Sequence, residues 1–429
     1  MSSESFTAPR FHARTWYQDR LGEAPRSESA APAGSACIAI VGAGLAGLST
    51  ALECCRRDGE GVVVLDRGEA GEGASGRNGG FVFAGYSREP DALARRVGVD
   101  RARRLHRWTR DAVRRVRARC AELGVPTAGD PVLLADWFGD DDRLDAMRRR
   151  MCDRFGFRLE WLDRAAMRRR LRTDRYGCGL AEPGSFHFNP LEYARAVANA
   201  VEHAGGRVRA RCPVTRLRRA AGRWHLATPR GDLVADRVVL ATGGYDRTLS
   251  PRARRCLQPI GTYIVVTEPL GARLDACMPS DHAVYDTRFA FDYYRRLAGG
   301  RLLWGGRIST ADRTPAAVRK LMRRDLRRVF PSLADCRLDY AWGGWMSYAR
   351  HQMPVLAEIG PGLWLAAGFG GHGMAPTALA GRLLADALAG DDDRLRTFDG
   401  FGPVWAGGAA GRAAIQGIYW WKQLRDRMR

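Results

Sequence analysis

The chain has 429 residues, too many for one small hydrophobic core, so two domains are expected. An apolar share of 45% and 50 glycines suit an α/β globular protein, and no apolar stretch reaches the ~20 residues that a membrane-crossing helix requires. The net charge of +22 comes almost wholly from arginine, with Lys320 and Lys422 the only lysines; such a skew points to coding bias and a solvated basic face that steers acidic ligands, and argues against a nucleic-acid partner.

Residues 1–36 are rich in Ser, Ala, Pro and charge and read as a flexible arm laid on the surface, without the apolar core of a signal peptide. The next segment is more specific. An apolar run from Ile38 to Val41 ends in Gly42-Ala43-Gly44-Leu45-Ala46-Gly47, at G-x-G-x-x-G spacing. A helical pattern follows, with Leu45, Leu48, Leu52 and Cys55 on one face, and a second apolar run, Val62 to Leu65, ends in Asp66-Arg67. This is a strand–turn–helix–strand unit with an acid at its far end. Gly42 permits the tight turn, Gly44 lets a pyrophosphate approach the backbone, and Gly47 lets helix and strand pack closely. The helix N-terminus supplies N–H donors for phosphates, and Asp66 is placed to accept hydrogen bonds from a ribose.

A glycine-rich loop at 71–80 comes next. Residues 90–175 are Arg-rich and mostly helical in pattern, with short strands expected at 131–135 and 158–161 and a basic face through Arg103, Arg107, Arg110, Arg114 and Arg117. Asn189-Pro190 opens a helix that Gly205-Gly206 ends. Strands are expected at 207–211, 214–220, 224–228 and 238–241, then at 262–267, 283–286, 289–295 and 301–306. A polar helix covers 313–329, and a buried strand at 363–367 leads through Gly368-Phe369-Gly370-Gly371-His372-Gly373-Met374 into a helix with Pro376 near its start. The ten cysteines form no C-x-x-C pair, so buried thiols in a reducing cytoplasm are expected rather than a disulfide framework.

The expected fold is α/β: a Rossmann-type cofactor domain assembled from discontinuous segments, with a β-rich α+β substrate domain inserted. The segments are an arm at 1–36, cofactor-domain pieces at 37–89, 189–257 and 340–429 (the last with the C-terminal tail), and substrate-domain pieces at 90–188 and 258–339. Three glycine clusters beside strands exceed what one nicotinamide needs. FAD, long and carrying a fused ring, fits close backbone approach at several separated places.

The chain resembles the D-amino-acid-oxidase superfamily of FAD enzymes, most of all the γ-glutamylputrescine oxidase branch. The resemblance spans nearly the whole chain and rests on His12-Ala13-Arg14-Thr15-Trp16-Tyr17, on Gly73-Ala74-Ser75-Gly76-Arg77-Asn78-Gly79-Gly80, on Asn189-Pro190-Leu191, Pro213-Val214-Thr215-Arg216-Leu217 and Ala241-Thr242-Gly243, and on Trp342-Gly343-Gly344, Phe369-Gly370-Gly371-His372-Gly373 and the tail Tyr419-Trp420-Trp421. It implies that Ser75, Gly76, Arg77 and Asn78 lie along the pyrophosphate and flavin edge and that Val214 meets the adenine side. It implies further that Gly371, His372, Gly373 and Met374 sit at the flavin N1–C2=O edge, where the helix N-terminus stabilises the charge of reduced flavin. Plainer roles are turn or packing for His372, pairing with a phosphate or an acid for Arg77, and a turn for Asn78. No cysteine follows the Trp-Gly-Gly segment and no histidine lies between Gly71 and Gly80, so the flavin is expected to be bound non-covalently and released on denaturation.

The implied chemistry is oxidation of a C–H bond beside an amine, giving an imine that hydrolyses, with O2 reduced to H2O2. The expected pocket residues are Tyr293 or Tyr294, Arg307, Tyr348 and Arg350, with Arg307 able to hold a substrate carboxylate and ordinary strand packing as the alternative for each. Met346 stands where related enzymes carry a carboxylate-gripping arginine, and Leu303 where some carry an oxygen-promoting lysine. The substrate is expected to be a primary or secondary amine, either a polyamine derivative or an N-substituted amino acid, with O2 or another acceptor. A dehydrogenase, a flavin monooxygenase and a non-catalytic flavoprotein are the alternatives. No metal is expected. The aromatic tail is expected to pack on the protein body rather than on lipid, and the sequence does not fix an oligomeric state.

Overall fold

The apolar run before the first glycine motif forms the strand Gly34–Val41, and the helical pattern after it forms Leu45–Asp58, whose predicted face is buried. These coordinates belong to a computed structural model, which describes residues 13–22, 34–59, 61–245 and 248–428. His12, the first residue of the N-terminal motif, lies outside them.

In the first sheet Gly34–Val41 pairs in parallel with Val62–Leu65 on one side and Leu233–Leu240 on the other. Arg207–Arg209 extends one edge, and Arg223–Ala227, Arg216–Ala220 and the Leu363–Ala367/Val355–Gly360 pair extend the other. Strands buried on both faces read as continuous Val/Ile/Leu runs, which explains their visibility in the sequence. The helices Leu45–Asp58 and Met374–Leu388 cover one face in close contact. A Cβ on Gly381 would lie 2.6 Å from the Ser49 backbone, so only glycine fits that crossing.

The second sheet runs in the order Leu338–Ala349, Leu257–Thr267, Arg301–Ser309, Asp292–Leu297, Val284–Asp286, Val132–Ala135, Gly179–Glu182 and Glu160–Leu162. The expected boundary at 340 shifts here. Leu338–Ala349, taken as the start of the last cofactor-domain piece, pairs along nearly its whole length with Leu257–Thr267 in the second sheet. The helix Pro315–Val329, capped by the Thr314 side chain, packs behind this sheet. A small third sheet joins Phe81–Val82, Phe186–Phe188 and Thr127–Ala128.

Residues 13–22 are not the surface arm expected from composition. Thr15 caps the helix Trp16–Leu21, and Tyr17 is wholly buried against Leu191, Ile264, Leu303 and Trp342. The helix Gly408–Met428 closes the chain; Tyr419 is buried, while Trp420 and Trp421 are 62% and 59% exposed. None of the described helices is long and apolar enough to cross a membrane, and no disulfide is formed among the described cysteines.

Candidate active site

A cavity of about 2060 Å³ lies between the two sheets. Its floor begins at the first glycine motif. Gly42 has φ +113°, and a Cβ there would lie 2.6 Å from Ala241 O; a Cβ on Gly47 would lie 2.0 Å from Gly42 O. Gly47 therefore serves packing and does not line the cavity, whereas Gly42, Ala43, Gly44, Leu45 and Ala46 do. A Cβ on Gly44 would project towards nothing but the Ser75 side chain. The backbone is thus bare where a phosphate would approach, at the N-terminus of a 14-residue helix.

Asp66 reaches this floor. Its carboxylate accepts from Ala43 N at 2.6 Å and from Gly68 N at 2.8 Å, which leaves acceptor capacity for a ribose. Burial pushes its pKa up, against those two N–H bonds. Arg67, Val214, Ala241, Thr242 and Gly243 line the same end. So does Tyr245, which was not singled out in the sequence although it stands two residues beyond Gly243. Its hydroxyl accepts from Trp345 N at 3.1 Å, and the Arg67 guanidinium lies 5.6 Å from its ring.

The second loop divides its labour. Ala74, Ser75, Arg77, Asn78 and Gly79 line the cavity; Gly76 and Gly80 do not, because their missing Cβ atoms make room for Gly71 O and Phe188 O. Ser75 Oγ accepts from Leu45 N at 2.9 Å. Arg77 was expected along the pyrophosphate, or paired with a phosphate or an acid. Its buried guanidinium donates instead to two carbonyls, Gly343 O and Ala13 O, both at 2.8 Å, so it fastens three segments of chain. The Asn78 side chain bonds Ala74 O, Ser75 O and Gly80 N and braces the loop itself, as the turn alternative holds.

At the other end of the cavity Gly371, His372, Gly373 and Met374 line the wall beside the N-terminus of Met374–Leu388. Tyr348 supports this loop: its hydroxyl accepts from Gly371 N at 2.9 Å, and Ser87 Oγ accepts from the same N–H at 3.1 Å. Gly370, at φ +60°, has no room for a Cβ between Ser87 and Tyr348. The His372 ring stands edge-on to Phe83 at 4.9 Å, and burial lowers its pKa to about 4, so it is neutral at pH 7.

The expected substrate-facing residues separate. Tyr293 lines the cavity, but Tyr294 points to the opposite face of its strand, fully buried and stacked on Trp304 at 4.5 Å. Strand alternation sends the two neighbours to opposite sides, and Tyr294 is a core residue. Leu303 lies on the face of Tyr293 but packs beneath the N-terminal helix and is absent from the cavity, which takes Thr262 and Gly306 from this region. Arg307 lines the cavity at φ +56°, the extra residue of a bulge between Thr262 and Tyr263 on the paired strand. Its guanidinium forks onto Asp325, fully buried on Pro315–Val329, at 2.7 and 2.5 Å. This pairing, invisible in sequence, largely neutralises the group expected to hold a substrate carboxylate. Arg350 is exposed at the rim, and Met346 lines the wall near Gly371.

Other lining residues carried no separate signal. The C-terminal helix supplies Ile418, Tyr419, Lys422 and Asp426. It is anchored by Tyr419 Oη, which accepts from Ile308 N at 3.2 Å, and by Asp426, which accepts from Phe289 N at 2.9 Å. Glu182, at the end of an apolar strand, also faces the cavity, and burial pushes its pKa up to about 8. Asp136, Asp141 and Cys178 approach one another closely, but nothing marks them as more than an acidic cluster.

The comparisons with known proteins agree with this geometry. The family described as FAD dependent oxidoreductase (DAO) matches residues 37–387. The chain belongs to this family. Gamma-glutamylputrescine oxidoreductase of Escherichia coli is 33% identical over 367 residues, covering 84% of this chain and 85% of that protein. The probable oxidoreductase OrdL of Haemophilus influenzae is 30% identical over 405 residues, covering 91% of each. Among solved structures, glycine oxidase from Geobacillus kaustophilus superposes with a TM-score of 0.70 at 20% identity, over 87% of this chain and 99% of that one. This likeness establishes the shared fold.

This FAD-dependent oxidoreductase acts on amines or amino acids, and its glycine-bared floor, first-motif acid and helix N-terminus fit the dinucleotide. Among the described lining residues there is no cysteine. Acid or heat denaturation is expected to leave all the yellow colour in the supernatant; flavin fluorescence on the precipitated chain in a denaturing gel would show a covalent link. Glu182 gives a second expectation. Its pKa is higher folded than unfolded, so its contribution to stability is full below about pH 4.5 and is lost as pH rises through about 8. Glu182→Gln, which keeps a hydrogen-bond acceptor and never ionises, should therefore show a flatter decline of melting temperature between pH 5 and 9 than the unaltered protein.

Proposed function

We propose that this oxidoreductase oxidises a primary or secondary amine, either a polyamine derivative or an N-substituted amino acid, to an imine that water hydrolyses, with O2 reduced to H2O2. Bound FAD supplies the two-electron acceptor, its N5 taking the hydride from the carbon beside nitrogen. The observation that carries the reading is that the cavity bearing the dinucleotide floor continues past the His372 loop between Tyr293, Met346 and Tyr348. That wall offers a neutral imidazole and hydroxyls. Of the arginines that line the cavity, Arg307 is already paired with Asp325, and the buried Arg288 with Asp286 and Asp292. Such a wall can receive an uncharged amine and orient its C–H bond; it offers little grip on an α-carboxylate. The protein then acts by positioning and by excluding water, for which no dedicated base is needed. The amine substrate named for the E. coli relative supports the same class.

A second reading, a dehydrogenase using another acceptor, is favoured by one observation. Electron transfer to O2 is helped by a fixed cation that stabilises developing superoxide. The cavity's only lysine, Lys422, stands at the mouth over the Phe289 ring. Cytoplasmic residence is part of the proposal and fits cysteines that form no disulfide among the described residues.

The test is anaerobic mixing of the yellow holoenzyme with a panel of amines and amino acids. Bleaching of the flavin band by amines, and not by the matching α-amino acids, is expected. Admission of air with stoichiometric peroxide identifies the oxidase; slow reoxidation by air with rapid reoxidation by a quinone or dye identifies the dehydrogenase. Bleaching by none of the amines ends the proposal.

A further inference from the structure

Beside the His372 loop the same cavity is lined by Phe83 and Tyr285, and its lining also takes in Met147, Met151, Phe157 and Leu159 together with the charged Glu89, Arg143 and Arg150; this part of the cavity is the side chamber. Phe83 links the two spaces. It stands edge-on to His372 at 4.9 Å and stacks on Tyr285 at 5.4 Å with 13° between the planes. One continuous aromatic wall thus leads away from the loop at the flavin edge.

In this part of the cavity two polar side chains keep unfilled hydrogen-bonding capacity. Glu182 Oε1 accepts from Ala84 N at 2.6 Å, but Oε2 has no hydrogen-bond partner among the described residues. His106 is 4% exposed, lines the same cavity, and its Nδ1 has no partner. The two belong to one wall. Gly85, next to Ala84, donates to Thr109 Oγ1 at 2.8 Å, and Thr109 in turn donates to His106 O at 2.6 Å. The nearby guanidinium of Arg110 is engaged elsewhere, donating to Gly156 O at 3.0 Å and lying 4.8 Å from the Phe157 ring. Buried polar atoms are normally satisfied, so the open imidazole of His106, beside a half-buried carboxyl with one hydrogen bond, points to a missing ligand group.

We propose that this chamber receives the remote basic end of an extended substrate, an α,ω-diamine or longer polyamine chain, with its distal ammonium on Glu182 and its methylene spacer along Phe83 and Tyr285. The inference rests on the amine-oxidation reading above and narrows its substrate class. An ammonium satisfies the open carboxylate oxygen, gains from the aromatic faces beside it, and leaves the methylenes in apolar contact. A remote carboxylate meets the Glu182 acid and is disfavoured. The empty chamber holds Glu182 protonated at pH 7 because burial pushes its pKa up to about 8. Binding an ammonium there transfers that proton to solvent and leaves an ion pair. A diamine therefore releases one proton more than an alkylamine of equal length.

The test compares α,ω-diamines from propane to octane with n-alkylamines of the same length, on the anaerobic holoenzyme. Affinity is read from the saturation of flavin bleaching where it occurs and from perturbation of the flavin band where it does not. Proton release is read by calorimetry in buffers of different ionisation enthalpy. The expected result is a diamine preference of at least tenfold at the best spacer length, the extra proton, and collapse of that preference towards unity in Glu182→Gln. Equal affinities at every length, or a preference that survives in Glu182→Gln, would overturn the proposal. Should Glu182→Gln fail to retain FAD, the unaltered protein's ladder and proton count decide alone. Tight, Glu182-dependent diamine binding without bleaching would keep the chamber and discard amine oxidation; bleaching by alkylamines and diamines with equal affinity would do the reverse.

Discussion

Gly44→Val is expected to give a folded, colourless protein. Gly44 has φ −82° and ψ 176°, which any residue adopts, and a Cβ there meets only the movable Ser75 hydroxyl. The fold loses little: a poorer helix cap and the Ser75–Leu45 bond, about 1 kcal/mol each. The two added methyl groups nevertheless stand on the bare backbone where a pyrophosphate would approach. FAD affinity should fall more than a hundredfold, about 2.7 kcal/mol or more. Gly47→Ala is the contrasting variant. Its single methyl lies 2.0 Å from Gly42 O, a rigid backbone atom, and should destabilise the whole first unit by several kcal/mol. Circular dichroism melting and the visible flavin band separate the two outcomes. A yellow Gly44→Val protein with unaltered FAD affinity would remove the first motif from the cofactor site.

The second large effect is expected at the Arg307–Asp325 pair. Asp325→Leu removes a fully buried carboxylate and strands the guanidinium that forks onto it, a loss of about 3–5 kcal/mol. Arg307→Met strands the acid with a similar penalty. The double variant Arg307→Met/Asp325→Leu should recover most of that stability, because two apolar side chains of similar size replace a costly desolvated pair. Denaturant titration of the three proteins measures the coupling. The double variant also decides the role of Arg307: retained amine oxidation means that the bulge arginine holds the sheet to the helix, whereas a large rise in KM with kcat intact means that it touches substrate after all.

The elements that sequence reasoning reads well are those whose signal is local. The strand–glycine–helix–strand unit, the Asn189 cap and the Gly-His-Gly turn each depend on residues a few positions apart, and each sits where the spacing predicts. Which side of a strand faces the cavity is harder, because a one-residue error reverses the answer. Tyr294 shows this: it lies on the face opposite the cavity, stacked on Trp304, whereas Leu303 shares the face of Tyr293 and is displaced along it, beneath the N-terminal helix. Partners far along the chain were harder still. Nothing around Arg77 announces that Gly343 and Ala13 take its hydrogen bonds, and nothing around Arg307 announces Asp325. The N-terminal helix was misjudged for the same reason: Tyr17 is buried by strands nearly 250 and more residues away. The side chamber draws Glu182, His106, Phe83 and Tyr285 from four segments, and only the folded chain brings them to one cavity.

The cradle around Gly44, Ser75, Thr242 and His372 joins pieces of chain separated by more than three hundred residues. A molecule filling it clasps all of them at once, so each opening of the protein must first shed its prosthetic group. At a free vitamin-derived cofactor level a hundred times the dissociation constant, that linkage adds about 2.7 kcal/mol to resistance against unfolding. Riboflavin starvation should therefore lower the cellular amount of this protein as well as its turnover, because newly made chains left without the clasp become substrates for proteolysis.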